Sequence, residues 1–203
     1  MRTTMRPFAT RAVVAGWLLC VATGVGLLLE HGTTPGTAAA APAELDPTLA
    51  GALQWQPGAP LVVLFAHPQC PCLPSTLAEL RRTLAEAPPQ QLRFVVFTPG
   101  QPVAHWDPEA AVTLGQQWPS ATLLQDVDGA LATRFGAATS GQVLAYDPTG
   151  RLRFAGGLTA GRGHQGQNAA SRSFATALRQ PEGAAGSSAV FGCPLCADTG
   201  CDG

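Results

Sequence analysis

Apolar residues fall along this chain in two kinds of pattern, continuous runs and spaced stripes, and the change from one to the other predicts its elements. The longest run is AVVAGWLLCVATGVGLLL, Ala12 to Leu29, eighteen positions without a charge. As a helix it rises about 27 Å, close to the hydrocarbon thickness of a bilayer. The next run, APLVVLFAH, is short and bounded by Pro60 and His67–Pro68. A run of this length rich in Val and Leu predicts a strand covered on both faces. The stretch LPSTLAELRRTLAEA then spaces Leu77, Leu80 and Leu84 as one helical stripe. Pro74 suits its first turn, where a missing N–H leaves nothing unpaired, and Pro88–Pro89 end it.

The same alternation continues. QLRFVVFT (91–98) predicts a second strand, and Asp107–Pro108 open a helix over AVTLGQQW. ATLLQD (121–126) predicts a third strand and DGALATRFGA (128–137) a short helix, with Asp126 and Asp128 suited to the turn and cap between them. GQVLAYD (141–147) and RLRFAGG (151–157) read as a hairpin joined by PTG. A glycine-rich loop, LTAGRGHQGQN (158–168), leads to a last helix, ASRSFATALR (170–179). Strands separated by helices predict an α/β domain with parallel pairing, to which the hairpin adds an antiparallel edge. The expected organisation is a cytoplasmic N-terminus (1–11), a transmembrane anchor or signal peptide (12–30), a linker (31–58), the α/β domain (59–180) and a flexible Cys-containing tail (181–203).

Charge decides which side of a membrane the domain faces. Arg2, Arg6 and Arg11 precede the long apolar run with no acid among them. Arginines flanking a span stay cytoplasmic, so the rest of the chain is expected outside, in a periplasmic or other extracytoplasmic space. The best cleavage site, AAAAPA at 38–43, lies far downstream of the apolar run, which favours an uncleaved anchor over a signal peptide. The net charge is −1 and all twelve cations are Arg, so no basic surface points to nucleic acid.

An exported domain permits disulfides, and five cysteines follow the span: Cys70, Cys72, Cys193, Cys196 and Cys201. In FAHPQCPC (65–72), two of them flank one proline where a strand meets a helix. Unpaired N–H groups and the positive end of the helix dipole favour thiolates at such a place, and open α/β sheets carry their sites there. His67 adds a charge or a proton shuttle. Closing two thiols one residue apart makes a small ring that is readily reduced. Three readings stand open: a redox dithiol, a soft-metal clamp, or inert structural cysteines. The tail supplies Cys193 and Cys196 in CPLC, either as thiols for Cys70 or as a pair of their own. His164, with Arg162 and Asn168 beside it, sits in a loop within possible reach of the cysteines. His105 reads as a surface loop residue, and Trp55, Trp106 and Trp118 as packing residues.

LVVLFAHPQCPC followed by a leucine-striped helix resembles the active-site segment of the thioredoxin-like superfamily. DVDGALATRFGAATSGQVLAYDPTGRLRFAGG is similar to the second half of its redoxin and alkyl-hydroperoxide-reductase branch. HPQCPC, RFGAATSGQVLAYD, GGLTAGRGHQGQN and VFGCPL together look closest to the RedB-like group of bacterial thioredoxin-fold proteins. The resemblance covers about residues 59–195. It implies a thioredoxin-like central mixed sheet flanked by helices, and thiol–disulfide exchange with protein thiols or disulfides of exported proteins or with a membrane electron donor. On that reading Cys70 attacks, Cys72 resolves first, Cys193 or Cys196 relays electrons, His67 tunes the thiolate, and no cofactor is needed. Two departures stand out. The motif is Cys-Pro-Cys, one residue shorter than thioredoxin's, and Gly141 after Ser140 replaces the proline that faces the dithiol. That replacement keeps open an alternative, Cu(I) held by Cys70 and Cys72 with His67 or His164 assisting. Pro-Gln-Cys does not match the peroxidase motif of the branch.

Overall fold

The computed structural model describes residues 7–180 and 182–195, which form two units divided at Thr34/Pro35. The first is a single helix, α1 (Pro7–Thr33). Its stretch Thr10–Thr33 is long and apolar enough to cross a membrane, and none of its most apolar window is buried within the protein.

The second unit is a mixed sheet with helices on both faces. Its elements are α2 (Pro47–Ala52), β1 (Leu61–Ala66), α3 (Leu73–Leu84), β2 (Gln91–Thr98), α4 (Glu109–Gln117), β3 (Thr122–Val127), α5 (Ala130–Arg134), β4 (Gln142–Tyr146), β5 (Leu152–Gly156), α6 (Ala169–Arg179) and β6 (Gly186–Ser187). The strand order is β3-β2-β1-β4-β5-β6. β1, β2 and β3 run parallel, and β4 is antiparallel to both its neighbours, β1 and β5, as the alternation of runs and stripes predicts.

β1 is the central strand, and all six of its residues are buried. Side chains alternate faces along a strand, so β1 feeds two cores. Val62, Leu64 and Ala66 pack with Leu80 of α3 and with Phe174 and Leu178 of α6. Leu61, Val63 and Phe65 pack on the other face with Phe135, Leu144, Leu49 and Leu53.

That second core corrects the expected linker. Within residues 35–58, Leu49 and the fully buried Leu53 anchor the segment on the sheet, covering a face that would otherwise meet water. Asp46 caps α2 by accepting from the Thr48 and Leu49 N–H groups at 2.8 Å. Upstream, Ala39 N–H donates to Gly136 O at 2.9 Å, and Leu45 N–H to Gly150 O at 2.9 Å.

The expected flexible tail is also corrected over its described part. β6 pairs in parallel with β5, Val190 is buried, and Gly157 N–H donates to Ala189 O at 3.3 Å. The gain comes from backbone pairing along a sheet edge.

Asp126 behaves as the turn and cap its position predicts. Its buried carboxylate accepts from the N–H groups of Leu131 at 2.7 Å and Ala132 at 2.9 Å. Asp126→Ala leaves both donors at the start of α5 unpaired, and is expected to destabilise the fold by about 1–3 kcal/mol in urea unfolding.

Candidate functional site

The site lies at the carboxyl end of β1. After Ala66 the chain makes two tight turns before α3, with Cys70 N–H donating to His67 O at 3.0 Å and Leu73 N–H to Cys70 O at 3.0 Å. Pro74 falls in the first turn of α3, and Cys72 is the N-cap residue. Cys72 is half-buried, whereas Cys70 is only 4% exposed. Cys20, Cys70, Cys72 and Cys193 are free thiols.

The connector 138–140, which leads into β4, forms one wall. Ser140 Oγ accepts from His67 N–H at 2.9 Å, and Gly141 N–H donates to Phe65 O at 2.8 Å. Gly141 has φ +91°, and a Cβ there would sit 2.9 Å from Thr76 Oγ1, so backbone conformation and crowding both favour glycine. The tail forms a second wall. Thr139 and Pro194 form an antiparallel bridge, Ser140 N–H donates to Cys193 O at 2.7 Å, and Leu195 N–H to Ala138 O at 2.8 Å. This pairing aims Cys193 N–H at Cys70 Sγ, 3.3 Å away.

The thiols differ sharply in their acidity. Cys70 is drawn down from its ordinary 9.0 to about 5, first by a hydrogen bond from the Cys193 thiol. Burial opposes this, while the N–H groups of Cys193 and Cys72 and the Ser140 hydroxyl add to it. Hydrogen bonds to the charged form thus outweigh desolvation. Cys193 is pushed far up, chiefly because its thiol donates to Cys70. Cys72 is pushed up by burial and by the neighbouring Cys70 charge, with Arg162 opposing. The three sulfurs therefore hold one thiolate, at Cys70, at neutral pH.

His67 is placed beside this group, as expected, but not as a cation. Its ring stacks on Phe97 at 5.3 Å and meets Trp106 edge-on at 5.6 Å. Burial lowers its pKa from 6.5, so the ring is mostly neutral at pH 7. Its Nδ1 accepts from Gln69 N–H at 3.3 Å, which leaves the proton on Nε2. Trp106, expected only to pack, is therefore part of the site wall.

The loop 158–168 reaches the cysteines through Arg162 and not through His164. Arg162 Nη1 donates to Gly192 O at 2.5 Å, whereas His164 is exposed with its Nδ1 3.2 Å from Arg162 O. Asn168 caps α6 instead. Buried Glu79 accepts from Gly166 N–H at 2.7 Å and pairs with Arg82, which ties the loop to α3. Among the described residues, no group of three or more His, Cys, Asp or Glu side chains could hold a metal ion. The set Cys70, Cys72, His67 and His164 is thus not assembled as one centre. Cys196 and Cys201 lie outside the described residues. His105 is a loop residue, as expected, and its carbonyl accepts from Gln69 Nε2 at 3.0 Å.

Ser140, in the sequence only the neighbour of a missing proline, is a residue of the site wall, and Cys193 contributes its backbone N–H as well as its thiol. Nothing in the residue types signals the bridge that the tail makes beside 138–140.

Parallel β1 and β2 joined through the cysteine turn and α3, and the antiparallel β4–β5 hairpin followed by α6, define a thioredoxin-like fold. No protein-family model matches the chain, and no curated protein matches it. Solved structures do. An uncharacterized conserved protein from Geobacillus kaustophilus is similar over 83% of this chain and 95% of its own, at 15% identity and a TM-score of 0.55, which shows a shared fold. A thioredoxin-like protein from Aeropyrum pernix is similar over 83% of this chain and 97% of its own, at 16% identity and a TM-score of 0.46. A secreted Mycobacterium tuberculosis disulfide oxidoreductase, homologous to E. coli DsbE, is similar over 73% of this chain and 96% of its own, at 15% identity and a TM-score of 0.43.

Proposed function

We propose that this chain is a membrane-anchored thiol–disulfide exchange protein whose attacking group is the Cys70 thiolate. One observation carries the reading: Cys193 N–H points at Cys70 Sγ from 3.3 Å and brings a third thiol against Cys70 and Cys72, an arrangement whose hydrogen bonds favour the thiolate at Cys70. A nucleophilic sulfur beside a second thiol is what disulfide exchange requires, because the mixed disulfide must be resolved. Cys72 and Cys193 both stand ready to resolve it. His67 shapes the wall of the site as a neutral ring. The apolar run Ala12–Leu29 within α1, with Arg2, Arg6 and Arg11 before it in the sequence, fits a single span that leaves the domain outside a bacterial inner membrane. The partners are then protein thiols or disulfides of exported proteins, or a membrane electron donor.

The test is stoichiometric. The reduced full chain in detergent is mixed anaerobically with oxidised glutathione, quenched with acid and mapped by peptide mass. The expected product is a disulfide that includes Cys70, with two glutathione thiols released per chain. A Cys70 that stays free would refute the exchange reading. So would one copper per chain bound on free Cys70 and Cys72 thiols, which would replace exchange by metal handling.

A further inference from the structure

The segment Gly192–Leu195 lies on the site as an extended strap, bridged to Thr139 through Pro194. Its backbone pairs with 138–140 through Ser140 N–H to Cys193 O (2.7 Å) and Leu195 N–H to Ala138 O (2.8 Å). Arg162 holds it from the other side through Gly192 O at 2.5 Å. Gly192 is required at its position: a Cβ there would overlap the Ser140 carbonyl oxygen. The strap brings the Cys193 N–H onto Cys70 Sγ (3.3 Å) and leaves Cys70 only 4% exposed. A sulfur covered in this way does not meet an outside disulfide until the cover lifts.

We propose that Gly192–Leu195 is a strap that gates Cys70, and that Cys193, not Cys72, is the thiol that resolves the mixed disulfide. The proposal rests on the exchange reading above and specifies its regulation. With the strap lifted, the Cys70 thiolate attacks one sulfur of a partner disulfide. The partner's S–S bond breaks, a Cys70–partner disulfide forms, and the departing partner thiolate takes a proton from water. The strap then closes. Cys193 gives its proton to water and its sulfur attacks Cys70 Sγ. The Cys70–partner bond breaks, a Cys70–Cys193 bond forms, and the second partner thiolate leaves and is protonated. Two thiols of this chain are oxidised and one partner disulfide is reduced to two thiols.

The electrostatics agree with that order. Cys193 is held protonated mainly by the Cys70 thiolate. Once Cys70 is in a disulfide that charge is gone, and nearby Arg162 favours the Cys193 thiolate. The closed strap also occupies the space beside Cys70, so closure and expulsion of the partner coincide.

The experiment uses the full chain in detergent, with oxidised glutathione as the disulfide and iodoacetamide as the probe of Cys70. The wild type should yield Cys70–Cys193 with Cys72 free. Cys193→Ser should instead accumulate glutathione on Cys70. Gly192→Val and Leu195→Pro each loosen the strap without removing a thiol, the second by deleting the Leu195 N–H. Read at about pH 10, where Cys70 is ionised with or without the strap's hydrogen bonds, the alkylation rate of Cys70 should rise by about fivefold to tenfold in each, the effect of losing one hydrogen bond from a closed state. Unfolding midpoints of both variants should stay close to the wild type, and either folded variant suffices. A Cys70–Cys72 bond in the wild type and in Cys193→Ser alike would overturn the resolving role and leave exchange standing. An unchanged alkylation rate in both loosened variants would overturn the gate. Failure of Cys70 to form a disulfide in any variant would remove the exchange reading itself, and the strap's function with it.

Discussion

Cys70→Ser is expected to reduce exchange with oxidised glutathione by at least about a thousandfold, because an unactivated hydroxyl is almost wholly protonated at neutral pH and is a poor nucleophile toward sulfur. The fold should survive. Serine is close in size to cysteine, and a hydroxyl at position 70 still accepts the hydrogen bond that Cys193 N–H now gives to sulfur. Cys72→Ser is the informative contrast. If Cys193 resolves, removing the Cys72 thiol leaves both chemical steps intact, and the rate should fall by less than about tenfold. The measurement is the initial rate of glutathione release by the full chain, with thermal unfolding run alongside. Equal and complete loss in both variants would place Cys72 in the resolving step. Full activity in Cys70→Ser would move the nucleophile elsewhere.

The second large effect is in pH. Alkylation of wild-type Cys70 should be nearly flat from pH 8 down to about pH 6 and half lost near pH 5, since the thiol is drawn down to about 5. Cys193→Ala removes the first cause of that depression, the thiol donor, and leaves the backbone N–H in place. The midpoint should move up by at least about one pH unit. The sign carries over to stability. Folding lowers this thiol's pKa from 9.0 to about 5, so its ionisation contributes stability that is complete above pH 9 and lost as pH falls through about 5. Reduced wild type should therefore lose unfolding free energy on acidification through that window, and Cys193→Ala should lose part of it at higher pH. A profile identical in the two proteins would show that the Cys193 thiol does not hold the proton of the pair.

Much of this arrangement is legible in the residues because the local signals agree with the global fold. LVVLFA is apolar at every position, which is what a central strand with two covered faces needs. Leu77, Leu80 and Leu84 give α3 one apolar stripe, and Asp147 with Gly150 gives the β4–β5 turn its chemistry: Asp147 Oδ1 accepts from Thr149 N–H at 2.8 Å, and Gly150 has φ +86°. The cysteines at the end of β1 were legible for the same reason. What stayed hidden depends on partners distant in sequence. α2 is six residues of weak pattern, and it is fixed by the face of β1 that Leu49 and Leu53 cover. The strap is built from main-chain groups of small residues, which leave no periodic trace. Ser140 and Arg162 become site residues only through contacts to His67 and Gly192, 73 and 30 positions away.

The early segment 36–45 has a practical consequence for cutting the molecule. Gly36 N–H donates to Val190 O at 2.8 Å, Thr37 O accepts from Thr139 Oγ1 at 2.7 Å, and Ala39 N–H donates to Gly136 O at 2.9 Å. The last two hold the stretch 136–140, and the first ties the beginning of the domain to the segment that continues into the strap. A soluble fragment that starts at Pro35 keeps all three. One that starts at Leu45 or Pro60 would strip the support from the wall against which the redox centre is built, and its thiol chemistry would report a different protein.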